Sequence, residues 1–86
     1  MSYNDDMKEL ARDSRQIGNL IRNERRRKAL SQTALASMAG LRQASISSIE
    51  NGSPNTKLQT LLTVLAALGL EFQIAPRTKG DWNTKG

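Results

Sequence analysis

Residues 31–57 hold most of the side chains with chemistry to offer, and that chemistry is hydrogen bonding rather than bond-making. Gln43 carries an amide that donates and accepts at once, which matches the N6/N7 edge of adenine in the major groove of DNA. Ala44 beside it suits a thymine methyl, Ser45 and Ser48 can address base edges, and Arg42 suits guanine or a phosphate. Ser31 and Gln32 stand where a helix begins, and there unsatisfied N–H groups and the helix dipole favour a phosphate oxygen. Ser47 and Lys57 are further phosphate candidates. Cysteine and histidine are both absent, which removes thiolates, disulfides, most zinc sites and the commonest general base. Asp5, Asp6 and Glu9 are terminal carboxylates of a kind that is ordinarily solvated rather than metal-binding. The chain is therefore expected to have no catalytic residues, metal, cofactor or small-molecule substrate.

The elements that must position these side chains lie between Leu30 and Gly52. Ser31 can cap a first short helix on which Leu35 and Ala39 share a face, and Gly40 suits a sharp helix-ending turn. Leu41, Ile46 and Ile49 carry the apolar thread into a second helix that Asn51-Gly52 ends. Neither helix is long enough to be stable alone. Two such helices joined by a glycine-containing turn make a helix-turn-helix.

The flanks fit one small domain of 86 residues. Residues 1–13 read as an acidic arm of net charge −2, frayed or briefly helical. Residues 14–57 carry eight basic side chains against two acidic ones, a net +6 that places the positive charge on the helix-turn-helix. Ser14 reads as the cap of a helix bearing Ile17, Leu20 and Ile21, with the basic run Arg25–Lys28 in its last turn. Asn55 or Thr56 can cap a leucine-rich helix running from Leu58 to Leu68, which closes on Gly69. The domain proper thus spans residues 14–69. Over residues 70–76 the period changes, with Leu70, Phe72 and Ile74 alternating with polar residues as in a half-buried strand. No second strand pattern accompanies it, and a strand needs a partner for its backbone groups. Pairing with the same strand of a second copy, in a homodimer, is the economical solution. Residues 77–86 form a polar tail in which Trp82 is a candidate anchor for a protein partner. No apolar run approaches the ~20 residues of a membrane span, so a cytoplasmic protein without membrane contact is expected.

Gln32, Ala36, Gly40, Leu41, Ile46, Ile49 and the run Glu50-Asn51-Gly52 resemble the repressor-type (Xre/Cro) helix-turn-helix family. The resemblance implies an all-α, five-helix, lambda-repressor-like domain, here with one C-terminal strand pairing across the dimer. It also implies a buried ion pair between Arg25 and Glu50, while Glu24 stands where the family usually has an apolar residue. Gln16, Asn19, Arg25, the run Gln43-Ala44-Ser45-Ile46-Ser47, Asn55-Thr56 and residues 69–75 are similar, more narrowly, to HipB-type antitoxins. That likeness implies a dimeric autorepressor of a toxin–antitoxin operon. Its partners would be palindromic double-stranded operator DNA and a HipA-type serine/threonine kinase toxin, with Trp82 as a toxin contact. Two other functions fit the same residues: a stand-alone phage-like or general regulator, and an interaction scaffold that no longer binds DNA.

Overall fold

Ile21, Leu35, Ile46 and Val64 are each wholly buried, and each comes from a different helix. In the computed structural model, which describes residues 9–77, these helices are α1 (Ser14–Arg27), α2 (Gln32–Ala39), α3 (Gln43–Glu50) and α4 (Leu58–Ala67). Ala36, Ile49, Leu65 and Leu68 complete the core, with Ile17, Leu30, Leu41, Leu61 and Leu70 packed around it. Each fully buried aliphatic side chain contributes roughly 1.5–3 kcal/mol. That tertiary term holds the short helices α2 and α3, which would not persist in isolation. The helix α3 packs against both α1 and α2, and α4 packs against α2.

The helix starts differ in part from the sequence expectation. Ser31 does cap α2, its hydroxyl accepting from the Ala34 N–H at 2.9 Å. At α1 the cap is Asp13 rather than Ser14, with the carboxylate accepting from the Gln16 N–H at 2.8 Å. A negative charge suits a helix N-terminus, and the Ser14 hydroxyl has another acceptor: it donates to the Gly52 carbonyl at 3.0 Å. That bond ties the start of α1 to the end of α3. Neither Asn55 nor Thr56 caps α4, because the turn before the helix uses them. The Asn55 N–H donates to Ser53 Oγ at 3.3 Å and the Thr56 hydroxyl to the Ser53 carbonyl at 3.5 Å. Lys57 takes the cap position without a side-chain hydrogen bond.

All four helices end in the same closure. The N–H groups of Leu30, Leu41, Ser53 and Leu70 reach back five residues to the carbonyls of Arg25, Ala36, Ser48 and Leu65 at 2.8–3.0 Å. Each residue just before them takes a left-handed backbone, as a Schellman closure requires. Three are glycines, whereas the first is Ala29, with φ at 57°. A left-handed alanine costs about 1–2 kcal/mol, partly offset because glycine loses more freedom on folding. Ala29 is exposed, so its methyl has little packing to lose. Ala29→Gly is therefore expected to stabilise the domain by about 0.5–1 kcal/mol, read as a higher urea midpoint. A lower midpoint would show that the methyl packs.

Among the described residues there are four helices, and residues 71–77 are exposed and without a strand partner in the one chain. Within one chain the alternating Leu70, Phe72 and Ile74 have no neighbouring strand to pair with, and an unpaired strand is not a stable element. Residues 1–8 of the acidic arm and residues 78–86, including Trp82, lie outside the described residues. No described helix is long and apolar enough to cross a membrane.

Candidate nucleic-acid interface

The helix α3 buries Ile46, Ile49 and Glu50. Its helical period therefore turns Ala44, Ser48 and Asn51 to the opposite side, flanked by Ser47 and Ser45, with Gln43 at the start of the helix on the Glu50 side. Gln43, Ala44, Ser48 and Asn51 are exposed and Ser47 is half-buried. The result is a shallow face of small polar side chains with one long amide at its start. Ser45 lies at one edge of it, half-buried and one turn before Ile49. Arg42 is exposed at the α3 cap position with no side-chain capping bond, and Lys57 is exposed on the loop beyond α3. Ser31 is exposed at the α2 cap. Leu70 is half-buried on the core, whereas Phe72 is 45% exposed and Ile74 fully exposed.

Beneath this face lies a connected set of hydrogen bonds centred on Glu50, whose side chain is wholly shielded from solvent. Arg25 donates to it twice, from Nε to Oε2 at 2.6 Å and from Nη2 to Oε1 at 3.0 Å. A planar guanidinium fits a carboxylate in this two-pronged way. The remaining Arg25 nitrogen donates to the Leu30 carbonyl at 2.8 Å, bracing the turn into α2. Arg22 donates to Oε1 at 3.3 Å and to Asn51 Oδ1 at 3.2 Å. Among the described residues no buried side-chain polar atom is left without a partner.

Gln32 is the link from this core to the surface. Its Nε2 donates to Glu50 Oε1 at 3.0 Å, and its Oε1 accepts from Gln43 Nε2 at 2.6 Å. A carboxylate can only accept, so Glu50 fixes which end of the Gln32 amide faces inward. Gln32 then fixes the sense of the Gln43 amide, leaving Gln43 Oε1 and one Nε2 hydrogen for an outside partner. Sequence reasoning placed Gln32 on a phosphate; within the chain both ends of its amide are engaged in positioning Gln43.

Burial alone would push the Glu50 carboxyl up. The hydrogen bonds from Arg25, Gln32 and Arg22, with the charge of Arg25, outweigh burial and hold it below the usual carboxylate range. The hydrogen bond to Glu50 likewise raises Arg25 despite its burial. Glu24 is half-buried and bonded to the exposed Arg27 at 3.0 Å and to Lys28 at 3.4 Å. A charged residue thus occupies the last turn of α1 without being isolated.

Two residues were missed at the sequence level. Asn51 extends the exposed face of α3 by one turn. Gly18 lets α1 meet the end of α3 at backbone distance, since a Cβ there would lie 2.4 Å from the Ile49 carbonyl oxygen and 2.7 Å from that of Glu50. A glycine inside an otherwise favourable helix was the available signal. Among the described residues, no three potential metal ligands come together.

A helix-turn-helix family model matches residues 21–74. A Haemophilus influenzae HTH-type transcriptional regulator is 40% identical over 52 residues, which are 60% of this chain and 53% of that protein. The match thus spans about half the length of that relative. The ImmF control region 10 kDa protein of Bacillus phage phi105 is 37% identical over 60 residues, 67% of each chain. Antitoxin HipB of Escherichia coli K12 is 34% identical over 59 residues, 69% of this chain and 67% of that one. Among solved structures, a HipB-O4 20mer complex and a HipA-HipB-O2-O3 complex each superpose with a TM-score of 0.77 at 28% identity. Both matches cover 83% of this chain and the whole of the HipB-type chain.

Proposed function

This chain belongs to the helix-turn-helix family, and from that premise we propose that it is a sequence-specific DNA-binding repressor acting as a homodimer. The observation that carries the reading is the exposed face of α3, with the Gln43 amide oriented from beneath by Gln32 and Glu50. Gln43 reads an adenine edge, Ala44 and Ser48 lie along neighbouring bases, and the Ser31-capped start of α2 takes a backbone phosphate. Arg42, Ser47 and Lys57 add backbone contacts.

Dimerisation is supported by apolar side chains with nothing to cover them among the described residues. Leu58 (64%), Leu62 (40%), Phe72 (45%) and Ile74 (101%) are exposed on α4 and the segment that follows it. A two-fold pairing of residues 70–76 supplies a strand partner and covers these residues together. The two recognition helices would then meet half-sites about 34 Å apart, in a palindromic operator.

Gln43→Ala is expected to weaken operator binding by about 1–3 kcal/mol and relax preference at one base position. Fluorescence anisotropy on promoter duplexes carrying single-base changes checks this. Unchanged affinity and preference would remove Gln43 from base reading. A HipA-type kinase is the proposed protein partner, in keeping with the HipB relatives and the HipA-HipB-O2-O3 neighbour. A regulator without a toxin is the second reading, favoured by the phage relative, which matches over a similar share of both chains. Co-purification with the product of an adjacent kinase gene separates the two, and absence of a stable complex would leave the second.

A further inference from the structure

Arg15, Asn19, Arg22 and Arg26 recur along α1 at spacings of four, three and four residues. At 3.6 residues per turn they fall within about 60° of one another around the helix. They form one stripe running about 16 Å along its axis. Glu24, the acidic residue of α1, lies on the opposite side of that helix and is bonded to Arg27 and Lys28. Arg15, Asn19 and Arg26 are exposed. The side chains of Arg15 and Arg26 make no hydrogen bond or ion pair among the described residues.

The stripe is continuous with the candidate interface. The exposed face of α3 ends on Asn51, whose side-chain oxygen accepts from Arg22 at 3.2 Å. Arg15, Asn19 and Arg22 line a shallow cleft of about 180 Å³ together with Glu50 and Asn51. The carboxylate in that cleft is already neutralised by the two-pronged Arg25, so the outer surface keeps its positive character. Its width, sign and position leave it beside the path of a polyanion lying on α3.

We propose that this α1 stripe is a second backbone-contact surface. In it Arg15 and Arg22, beside the end of α3, and Arg26, at the end of α1 that leads into α2, grip DNA phosphates flanking the bases addressed by α3. The inference rests on the DNA-binding reading above. It adds to α3 and the α2 cap a sequence-independent ridge that sets the tilt of the recognition helix through Arg22 and Asn51.

The test uses Arg15→Gln, Arg26→Gln and the double variant, since Arg22 also contacts Glu50 and would confound binding with folding. Affinity is measured on promoter and scrambled duplexes across a salt series, with thermal midpoints in parallel. Each substitution is expected to reduce the salt slope by about one. The double variant should lose about tenfold less affinity than the native chain between roughly 50 and 200 mM salt. Both duplexes should be affected alike, with thermal midpoints unchanged. Native-like slopes in the double variant, with the native chain binding in a salt-dependent way, would overturn the stripe and leave the α3 reading intact. No salt-dependent binding by the native chain to either duplex would overturn both.

Discussion

Glu50→Ala is expected to destabilise the domain by about 3–5 kcal/mol, the range for removing one partner of a buried pair. The loss is larger than one contact because the change leaves Arg25 buried without its carboxylate and removes the acceptor used by Gln32 and Arg22. At roughly 0.05–0.15 kcal/mol per residue the whole domain has about 4–13 kcal/mol of stability, so the loss takes a large share of it. Urea titration followed by circular dichroism measures it, and a loss within about 1 kcal/mol, the surface-pair range, would contradict a buried brace. The same carboxylate sets an acid limit. Its native pKa is depressed, so its contribution is complete above the ordinary carboxylate value and is lost as pH falls through the lower native value. Stability should therefore fall on acidification below about pH 4, and Glu50→Gln should flatten that limb.

Gly18→Ala is the second large effect, and two opposing terms decide its sign. Alanine gains about 1 kcal/mol over glycine inside a helix. Against that, the new methyl would lie 2.4 Å from the Ile49 carbonyl oxygen and 2.9 Å from the Glu50 carbonyl carbon. These are backbone atoms that cannot turn aside, so α1 must separate from α3. Overpacking of this kind costs about 1–3 kcal/mol, occasionally more. With rigid partners the upper end applies, and a net loss of roughly 2 kcal/mol is expected. The shift also displaces Arg25 and Arg22 from Glu50, so DNA affinity should fall further than stability at a temperature where the variant is folded. A stabilised Gly18→Ala would mean that the two helices can part without consequence.

Residues whose roles follow from local chemistry were legible in advance. Ser31 as a cap, Gly40 and Gly69 as left-handed stops, and the apolar thread through Leu35, Ile46, Ile49 and Leu65 each announce themselves within a few neighbouring positions. The Arg25 and Glu50 pairing came from family resemblance, because two opposite charges twenty-five residues apart carry no local sign of meeting. Gly18 escaped notice because its reason lies on another helix. Gln32 was legible as a polar residue at a helix start, but not as the link between a buried acid and a surface amide. Asp13 displaced Ser14 as the α1 cap because the serine hydroxyl has a tertiary acceptor in Gly52, which neighbours in sequence do not disclose. The alternation at residues 70–74 names a surface that wants covering, but a single chain holds no strand to pair with it.

The chain of bonds from Arg25 through Glu50 and Gln32 to Gln43 also bears on how such a regulator can diverge. A substitution at Gln32 that changes what Gln43 presents also disturbs an acceptor on which the fold depends. Under the proposed base reading by Gln43, recognition at that position is therefore hard to revise by mutation. Ala44, Ser47 and Ser48 carry no such obligation, since none of their side chains hydrogen-bonds to a buried group among the described residues. New target preferences should arise first at these three positions, while the Gln32 and Gln43 couple persists as the fixed letter of the code.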